Sequence, residues 1–428
     1  MKTVAFTTLG CKVNIYESNA LMNEFRKAGF KVISNSMVAD VYVINTCSVT
    51  NMADSKSKKM IRQARKLNKD AVVCVMGCFP QTNKEALKMD EIDVLLGNGN
   101  KSEAVPMVLK ALEEKVEKQV NILDIRNTVE YENLEITTFD HTRAFVKIED
   151  GCSNFCSYCI IPYARGPVRC KDKDLVIEEL IRITNLGYKE VVLAGIHTGH
   201  YTCGDNYKLS DLLKDILNNV PKLERIRLSS IEINEIDDDI INLMKESKIM
   251  ADHMHLPLQT GNDKILKLMN RRYDTKFFLD KINQIRSVRP DISITTDVIV
   301  GFPYETDQDF NETKEFIKQI NFSELHVFPF SARSNTPAYD MPKVNDLVKK
   351  NRVKELLTLS KELSLNYYKK FIGKTLDVLV ETIYDEKYMI GHTSNYLHVL
   401  LPLDSTKIGQ LVDATMESIE GNYIIAKI

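Results

Sequence analysis

The sequence lacks several features that would define a specialised class of protein. It has no apolar run long enough to cross a membrane, and its start, MKTVAFTTLGCKVN, reads as a strand and loop rather than a secretion signal. No internal repeat, coiled-coil heptad or low-complexity tract is present. Its 57 Lys and Arg nearly balance its 59 Asp and Glu, giving a net charge of −2. This balance argues against a uniformly basic nucleic-acid-binding surface, so any RNA site must be a local patch.

The sequence does contain nine cysteines. Without an export signal they indicate a reducing, cytoplasmic compartment, where metal-binding or catalytic thiols are favoured over disulfides. Cys152, Cys156 and Cys159 form a CxxxCxxC run. Three thiolates this close can hold an iron–sulfur cube by three irons and leave the fourth iron open to a substrate. A structural zinc site or a chance cluster is the alternative.

A second set of cysteines is predicted in the N-terminal segment, residues 1–121. Apolar strand-like runs alternate there with helical stretches, which predicts an α/β domain with a parallel sheet. Cys11, Cys47 and Cys78 each follow one of these runs. The carboxyl ends of parallel strands meet at one edge, so the three cysteines are expected to converge into a second cluster. Burial as ordinary core cysteines is the alternative, and Cys74, inside its strand, fits that alternative better.

Two further segments follow a linker candidate at 121–140. Residues 138–368 contain six strand-like runs separated by helical stretches, which predicts a partial (β/α) barrel with its site at the carboxyl ends of the strands. The CxxxCxxC run lies after the first of these strands, and a helix from Asp346 to Tyr368 is expected to close the domain. Residues 371–428 contain four short strand-like runs, typical of a small all-β barrel.

Seven motifs in order resemble those of the radical S-adenosylmethionine (SAM) methylthiotransferases over essentially the whole chain. They are LGCKVN, NTCSVT, GCFPQ, CSNFCSYCIIPYARG, HLPLQTGNDKILKLMNRRY, VGFPYETDQDF and FPFSARSNTPA. The resemblance implies a flavodoxin-like N-terminal domain, a radical SAM barrel and a C-terminal TRAM barrel. It also implies two 4Fe-4S clusters, one on each set of three cysteines, and SAM as both radical source and methyl donor.

The resemblance implies a tRNA-modifying enzyme. The LGCKVN form resembles the type that inserts a methylthio group at C2 of N6-threonylcarbamoyladenosine at position 37 of tRNA. Other types act on isopentenyladenosine in tRNA or on an aspartate of a ribosomal protein, and a non-catalytic Fe–S RNA-binding module is a further alternative. The implied partners are tRNA, an electron donor such as a flavodoxin or ferredoxin, and a sulfur source.

The resemblance also implies SAM-binding residues. Tyr158 has the aromatic position beside the SAM adenine, and Ser229 and Glu232 end a strand where they could bind polar groups of SAM. Arg272 could pair with the SAM carboxylate. Gly301 would shape the adenine pocket, although a plain strand-to-helix turn explains it nearly as well. Cys170 stands where the family commonly has Ser, and either a tolerated small residue or an alternative cluster ligand explains it.

The RNA-binding prediction rests on a local basic run. From Phe371 to Ile428 four lysines face eight acids, a net charge of −4, so this segment can attract RNA only by a restricted face. Downstream of Cys47, the stretch from Lys56 to Lys69 contains seven bases and no acid. A solvated helix face is the alternative to an RNA-binding one. The predicted RNA-binding residues are Lys56, Lys59, Arg62, Arg65 and Lys66.

Overall fold

The computed structural model describes residues 1–114, 117–136 and 142–428, and these pack into two compact units. The first unit comprises Met1–Asp140, Lys147–Lys171 and Ser331–Tyr339, and the second comprises His141–Val146, Asp172–Phe330 and Asp340–Ile428. In the described part of the chain, no helix is long and apolar enough to cross a membrane. The predicted domain start at 138 and linker end at 140 lie outside the described residues, and the predicted domain boundaries stay a prediction.

The first unit is built on a six-stranded parallel sheet in the order β2-β1-β3-β4-β5-β6. This confirms the predicted parallel sheet, and the order of its first five strands is that of flavodoxin-like folds. The edge strands β2 and β6, with three residues each, were not predicted. The elements are β1 (Thr3–Thr8), α1 (Lys12–Lys27), β2 (Lys31–Ile33), β3 (Val41–Thr46), α2 (Asn51–Leu67), β4 (Val72–Gly77), α3 (Cys78–Thr82), β5 (Val94–Leu96), α4 (Ala104–Glu114) and β6 (Gln119–Asn121).

The central strands of this sheet are buried on both faces. Every residue of β3 and β4 is buried, as their nearly continuous apolar sequences VYVINT and VVCVMG indicate. Alternate side chains enter two separate apolar cores, so that Cys74 lies in one core and Val75 lies in the other. Burial raises the pKa of Cys74 to about 12, which supports its interpretation as an inert core residue.

A short segment of the first unit carries the CxxxCxxC run. After β7 (Ala144–Lys147), the chain forms the antiparallel pair β8 (Glu149–Asp150) and β9 (Arg169–Cys170). The loop 151–160 and the helix α5 (Ile161–Arg165) lie between β8 and β9. The CxxxCxxC run therefore lies in a loop whose ends are tied together by the β8–β9 pair.

The second unit contains the predicted partial barrel. Its six strands form two sheets, β11-β10-β7 and β12-β13-β14, in which β10 pairs parallel with β11 and β13 pairs parallel with β12 and β14. Single parallel bridges join Ile226 to Met250 and Ser230 to His255. Helices connect successive strands, as in a (β/α) barrel. The elements are α6 (Lys173–Asn185), β10 (Glu190–Ala194), α7 (Leu209–Asn219), β11 (Arg225–Leu228), α8 (Asp238–Glu246), β12 (His253–His255), α9 (Asp263–Leu268), α10 (Thr275–Val288), β13 (Ser293–Val300), α11 (Asp307–Ile320) and β14 (Glu324–Pro329).

The same unit ends in a closed five-stranded barrel in the order β15-β16-β17-β19-β18. The helix α12 (Asp346–Lys369) precedes it and confirms the helix predicted from Asp346. The all-β barrel is also confirmed, with one strand more than the sequence indicated. The strands are β15 (Thr375–Ile383), β16 (Tyr388–Thr393), β17 (His398–Pro402), β18 (Leu411–Glu420) and β19 (Tyr423–Lys427).

Candidate metal centre

Cys11, Cys47 and Cys78 all lie at the carboxyl edge of the first unit's sheet. Cys11 lies between β1 and α1, Cys47 follows β3, and Cys78 follows β4. Two glycines shape this edge. Gly10 has φ +102°, and a Cβ on it would lie 2.9 Å from Cys47 Cβ. Gly77 has φ +101°, and a Cβ there would lie 2.7 Å from the Thr46 carbonyl oxygen. Only glycine combines a positive φ with room for such a close approach. Gly10 and Gly77 therefore allow Cys11 and Cys78, which follow them, to lie close to the end of β3.

The three thiols lie close enough to interact electrostatically. Burial and the neighbouring Cys78 together raise the pKa of Cys47 to about 11, and the charge of Arg165 opposes this shift. Desolvation of its sulfur raises the pKa of Cys11 against the opposing charge of Arg165, although the residue as a whole is exposed. Cys11 and Cys47 both interact electrostatically with Cys78. The strand order therefore places the three predicted ligands close together.

The CxxxCxxC loop is held by backbone hydrogen bonds inside the first unit. The Cys152 amide donates to the Gly166 carbonyl at 3.0 Å, and the Cys159 amide donates to the Cys156 carbonyl at 3.0 Å. Cys156 is buried, whereas Cys152 and Cys159 are partly exposed. Tyr158 is half-buried in the same loop. Both sets of three cysteines therefore belong to one compact unit, although 74 positions separate Cys78 from Cys152.

A buried ion network lies near Cys11 and Cys78, and its members Asp150 and Arg165 flank the CxxxCxxC loop along the chain. Its centre is Arg165, which is fully buried and directs Nη1 to Glu17 Oε1 at 2.7 Å and to Asp150 Oδ1 at 3.0 Å. Lys147 Nζ contacts Asp150 Oδ2 at 2.7 Å and Glu17 Oε1 at 3.1 Å. Lys101 also pairs with Glu17, and Arg169 lies 3.5 Å from Asp150 Oδ2.

The charges in this network keep its acids ionised. Burial raises the pKa of Glu17, but Arg165 and the two lysines outweigh burial and hold that pKa well below its usual range. Burial also lowers the pKa of Lys101, against the attraction of Glu17. Among the six groups joined by these ion pairs, four are bases and two are acids, an excess of two positive charges.

This excess of positive charge would stabilise an anionic group bound at the cysteines. A buried charge without a partner is strongly destabilising, and the charge of Arg165 interacts with both Cys11 and Cys78. Thiolates at this edge would supply the missing negative charge. Each set of three cysteines also offers soft sulfur ligands and leaves one position of a four-iron cube without a protein ligand. The residues present therefore fit an iron–sulfur cluster at each set.

The second unit contains the other predicted SAM-binding residues. Ser229 follows β11 and is buried, and its Oγ has no hydrogen-bond partner in the portion of the chain that the structure describes. Glu232 pairs with Arg271, whose side chain is 3% exposed, whereas Arg272 is exposed. The arginine that pairs with Glu232 is thus Arg271, one position before Arg272, the arginine predicted to pair with the SAM carboxylate. Gly301 has φ +69°, and its amide donates to Glu305 Oε2 at 2.6 Å, which accounts for it as a turn residue.

The basic helix α2 divides into paired and exposed bases. Arg65 donates to the carbonyls of Lys69, Ala71 and Glu91 and pairs with Asp93 Oδ2 at 2.5 Å, so its contacts are structural. Arg62 is exposed, with its Nε 3.6 Å from Glu91 Oε1. Lys56, Lys59 and Lys66 are exposed. The prediction that these three lysines bind RNA stays open, and Arg65 is better explained as a residue that holds the end of α2.

Sequence reasoning missed the groups that surround the cysteines. Arg165 is in the CSNFCSYCIIPYARG motif, but nothing in that string says that it pairs with Glu17 of α1. Asn98 and Lys101 follow β5, a strand whose carboxyl end was predicted to lie at the same edge as the cysteines. Polar residues after β5 were therefore the signal that could have identified them.

Known proteins resemble this chain over its full length. Residues 3–97 match the uncharacterized protein family UPF0004, and residues 146–317 match the radical SAM superfamily. The threonylcarbamoyladenosine tRNA methylthiotransferase MtaB of Bacillus subtilis is 41% identical over 96% of this chain and 93% of its own length. The tRNA-2-methylthio-N(6)-dimethylallyladenosine synthase of Carboxydothermus hydrogenoformans is 32% identical over 96% of each chain.

A solved structure supports the fold. The radical S-adenosylmethionine methyltransferase TsrM of Kitasatospora setae, determined with cobalamin and a [4Fe-4S] cluster bound, has a TM-score of 0.58 and 12% identity to this chain. The superposition covers 79% of this chain and 76% of that chain. Identity above 30% over nearly the whole length is the stronger finding. This chain belongs to the methylthiotransferase family within the radical SAM superfamily.

Proposed function

We propose that this protein inserts a methylthio group at C2 of N6-threonylcarbamoyladenosine at position 37 of tRNA. One observation carries the proposal: two sets of three cysteines, each one ligand short of a closed site, lie in a single compact unit of a chain that belongs to this family. The C2–H bond is not activated toward polar attack, so its replacement requires radical chemistry from a cofactor.

The two sets of cysteines have different proposed roles. Cys152, Cys156 and Cys159 would hold the 4Fe-4S cluster that binds SAM and supplies the electron for its reductive cleavage. Cys11, Cys47 and Cys78 would hold the second 4Fe-4S cluster, which supplies the site for the inserted sulfur. The protein's own contribution is to supply thiolates at both sites and to fix the two loops in one unit through the buried ion network. Ser229 Oγ, buried and without a partner in the described chain, is a candidate hydrogen-bond donor to SAM. Tyr158 is the proposed aromatic neighbour of the SAM adenine, and Glu232 with its partner Arg271 is a candidate for contacts with the polar groups of SAM.

The choice of the modified base rests on similarity. Identity is 41% to the threonylcarbamoyladenosine enzyme of B. subtilis and 32% to the dimethylallyladenosine enzyme of C. hydrogenoformans. The dimethylallyl (isopentenyl) form is therefore the second candidate substrate. Mass spectrometry of tRNA nucleosides from cells with and without this protein separates the two. Loss of the methylthio form of the isopentenyl nucleoside alone would overturn the proposed substrate.

The cytoplasm is the proposed location, since the substrate is tRNA. The reaction also requires an electron donor, such as a flavodoxin or ferredoxin, and a source of sulfur. Any electron donor of sufficiently low reduction potential would support the reaction in vitro, so a chemical reductant is used in the experiments on the cysteine variants.

Three single variants test the division of labour. Cys152→Ala should abolish the release of 5′-deoxyadenosine, because it removes a thiolate from the set proposed to bind SAM. Cys47→Ala should stop methylthiolation while some uncoupled 5′-deoxyadenosine release remains. Cys74→Ala is the matched control, since this buried core thiol lies outside both sets, and it should keep the full iron content, about eight per chain for two cubic clusters. Equal loss of 5′-deoxyadenosine in the Cys47 and Cys152 variants would contradict the division.

A further inference from the structure

Two buried amide side chains connect the surroundings of Cys11, Cys47 and Cys78 to α5, the helix after the CxxxCxxC loop. Asn14 donates to the Leu9 carbonyl at 2.6 Å and to the Thr46 carbonyl at 3.0 Å, and its Oδ1 accepts from Arg165 Nη2. It therefore ties the backbone before Cys11 and the backbone before Cys47 to a residue of α5. Asn14 fixes the position of these strands, but the amide that reaches a sulfur atom by its N–H is Asn98.

Asn98 contacts both Cys78 and α5, the helix that follows the CxxxCxxC loop. Its Nδ2 donates to Cys78 Sγ at 3.4 Å and to the Ala164 carbonyl at 2.9 Å. Its Oδ1 accepts from Lys101 Nζ at 2.7 Å, and Lys101 in turn pairs with Glu17. Lys101 donates hydrogen bonds and accepts none, so it fixes which end of the Asn98 amide is the oxygen and which is the nitrogen.

The orientation of this amide is therefore set by the buried network. Asn98 is 1% exposed and Lys101 is fully buried, so water cannot compete for these contacts. The consequence is an N–H group aimed at Cys78 Sγ with its dipole held by a positive charge. Hydrogen bonds to ligand sulfurs and nearby charge are among the factors that set the reduction potential of iron–sulfur clusters.

We propose that Asn98 is a positioning residue that raises the reduction potential of the second cluster through its hydrogen bond to Cys78, with Lys101 holding the amide in place. The proposal rests on the second cluster of the proposed function. The physical reason is that an N–H···S bond stabilises negative charge on sulfur, and the reduced cluster carries one electron more than the oxidised one. The bond therefore favours the reduced form.

The second cluster can be measured alone in the full-length chain. Replacing Cys152, Cys156 and Cys159 by Ala removes the ligands of the first cluster and leaves the ligands of the second. In this background, reconstituted protein is titrated anaerobically and the midpoint potential is read from the electron paramagnetic resonance signal of the reduced cluster. Asn98→Leu should lower the one-electron reduction equilibrium constant about tenfold, which is a fall of ~59 mV. Asn98→Asp, which keeps the side-chain shape and adds negative charge, should lower it further.

Asn100→Leu is the matched control. Asn100 is also buried, lies two positions along the chain, and donates to the Asn121 carbonyl at 3.1 Å rather than to a sulfur. Its replacement should leave the potential at the wild-type value. If Asn98→Leu loses its iron, the Asp variant decides. A wild-type potential in a loaded Asn98 variant, or loss of iron from both Asn98 variants, would overturn the proposal.

The test is independent of the proposed substrate. No tRNA enters the titration, so failure to find a methylthiolated nucleoside would leave a shifted potential intact. Conversely, unchanged potentials in the Asn98 variants would leave the proposed methylthiolation untouched.

Discussion

Glu190 is a charged residue that the second unit requires in its ionised form. It begins β10 and is fully buried, with Arg225 Nη1 at 2.9 Å and Arg227 Nε at 2.8 Å. Burial raises the pKa of Glu190, but the two arginines outweigh burial and lower it to about 2. The unfolded chain binds its proton near the ordinary glutamate pKa of about 4.3. The contribution of Glu190 to stability is therefore complete above that pH and is lost as the pH falls toward about 2.

We expect Glu190→Gln to lower the free energy of unfolding of the second unit by about 3–5 kcal/mol at neutral pH, because it leaves two buried arginines without their shared carboxylate. The free energy of unfolding of the variant should also depend less steeply on pH, between about 4.3 and 2, than that of the wild type. Hydrogen exchange of peptides from 172–330, followed as a function of pH, measures both effects. Glu224→Gln is the control, since Glu224 forms an exposed pair with Lys189, and it should change stability by less than about 0.5 kcal/mol. Equal effects of the two substitutions would contradict the prediction.

At the scale of elements, α2 shows that a run of basic residues in the sequence does not form one continuous basic surface in the fold. The sequence gives seven bases without an acid, but their partners come from elsewhere in the chain. Lys58 pairs with Glu85, and Arg65 pairs with Asp93. Charge that is already neutralised by an acid contributes little to phosphate binding, so the exposed lysines are the better candidates for RNA contact.

We expect the triple change of Lys56, Lys59 and Lys66 to Ala to weaken tRNA binding and to flatten its salt dependence. Three lost phosphate contacts should reduce the slope of log affinity against log salt by about 2–3. The measurement is a salt titration of binding to unmodified tRNA, with iron content checked in each variant. The matched control replaces three exposed lysines of the second unit, Lys245, Lys248 and Lys276. A normal slope in the first variant would leave RNA binding to other elements, including a restricted face of the acidic C-terminal barrel.

Long, regular elements were predictable from the sequence, and short or irregular ones were not. The buried strands β3 and β4 and the helix α12 follow directly from apolar runs and helical periodicity. The strand β16 was missed because its sequence, YMIGHT, combines a glycine with polar residues and shows no clear alternation. Convergence of the three N-terminal cysteines was predictable because topology alone places strand ends together. The pairing of Arg271 with Glu232 was not, since it depends on which side chain the turn after α9 directs toward Glu232.

At the scale of the whole molecule, packing does not follow the order of the sequence. The loop with Cys152, Cys156 and Cys159 and the segment Ser331–Tyr339 both join the first unit, although the chain around them belongs to the second. Arg333 illustrates the connection, because its Nη2 contacts Ser48 Oγ at 2.9 Å and Asp54 Oδ2 at 2.7 Å, close after Cys47. Such a long-range ion pair leaves no local signal in the sequence, so the composition of this unit could be learned only from the fold.

This division of the chain predicts where cluster binding adds stability. A group that binds only the folded state stabilises the part of the protein that supplies its ligands, and all six proposed cluster ligands lie in the first unit. Anaerobic loading with iron and sulfide should therefore increase protection from hydrogen exchange in 1–136, 147–171 and 331–339. The C-terminal barrel at 375–427 supplies none of the proposed ligands, so its protection should stay the same.

The comparison is made on the full chain, metal-free and loaded, in the absence of SAM. The full-length variant with Cys11, Cys47 and Cys78 replaced by Ala should keep the gain around 152–159 and lose it around the ends of β1, β3 and β4. Equal gains in the first unit and in the C-terminal barrel would show that the clusters stabilise the molecule as one cooperative body.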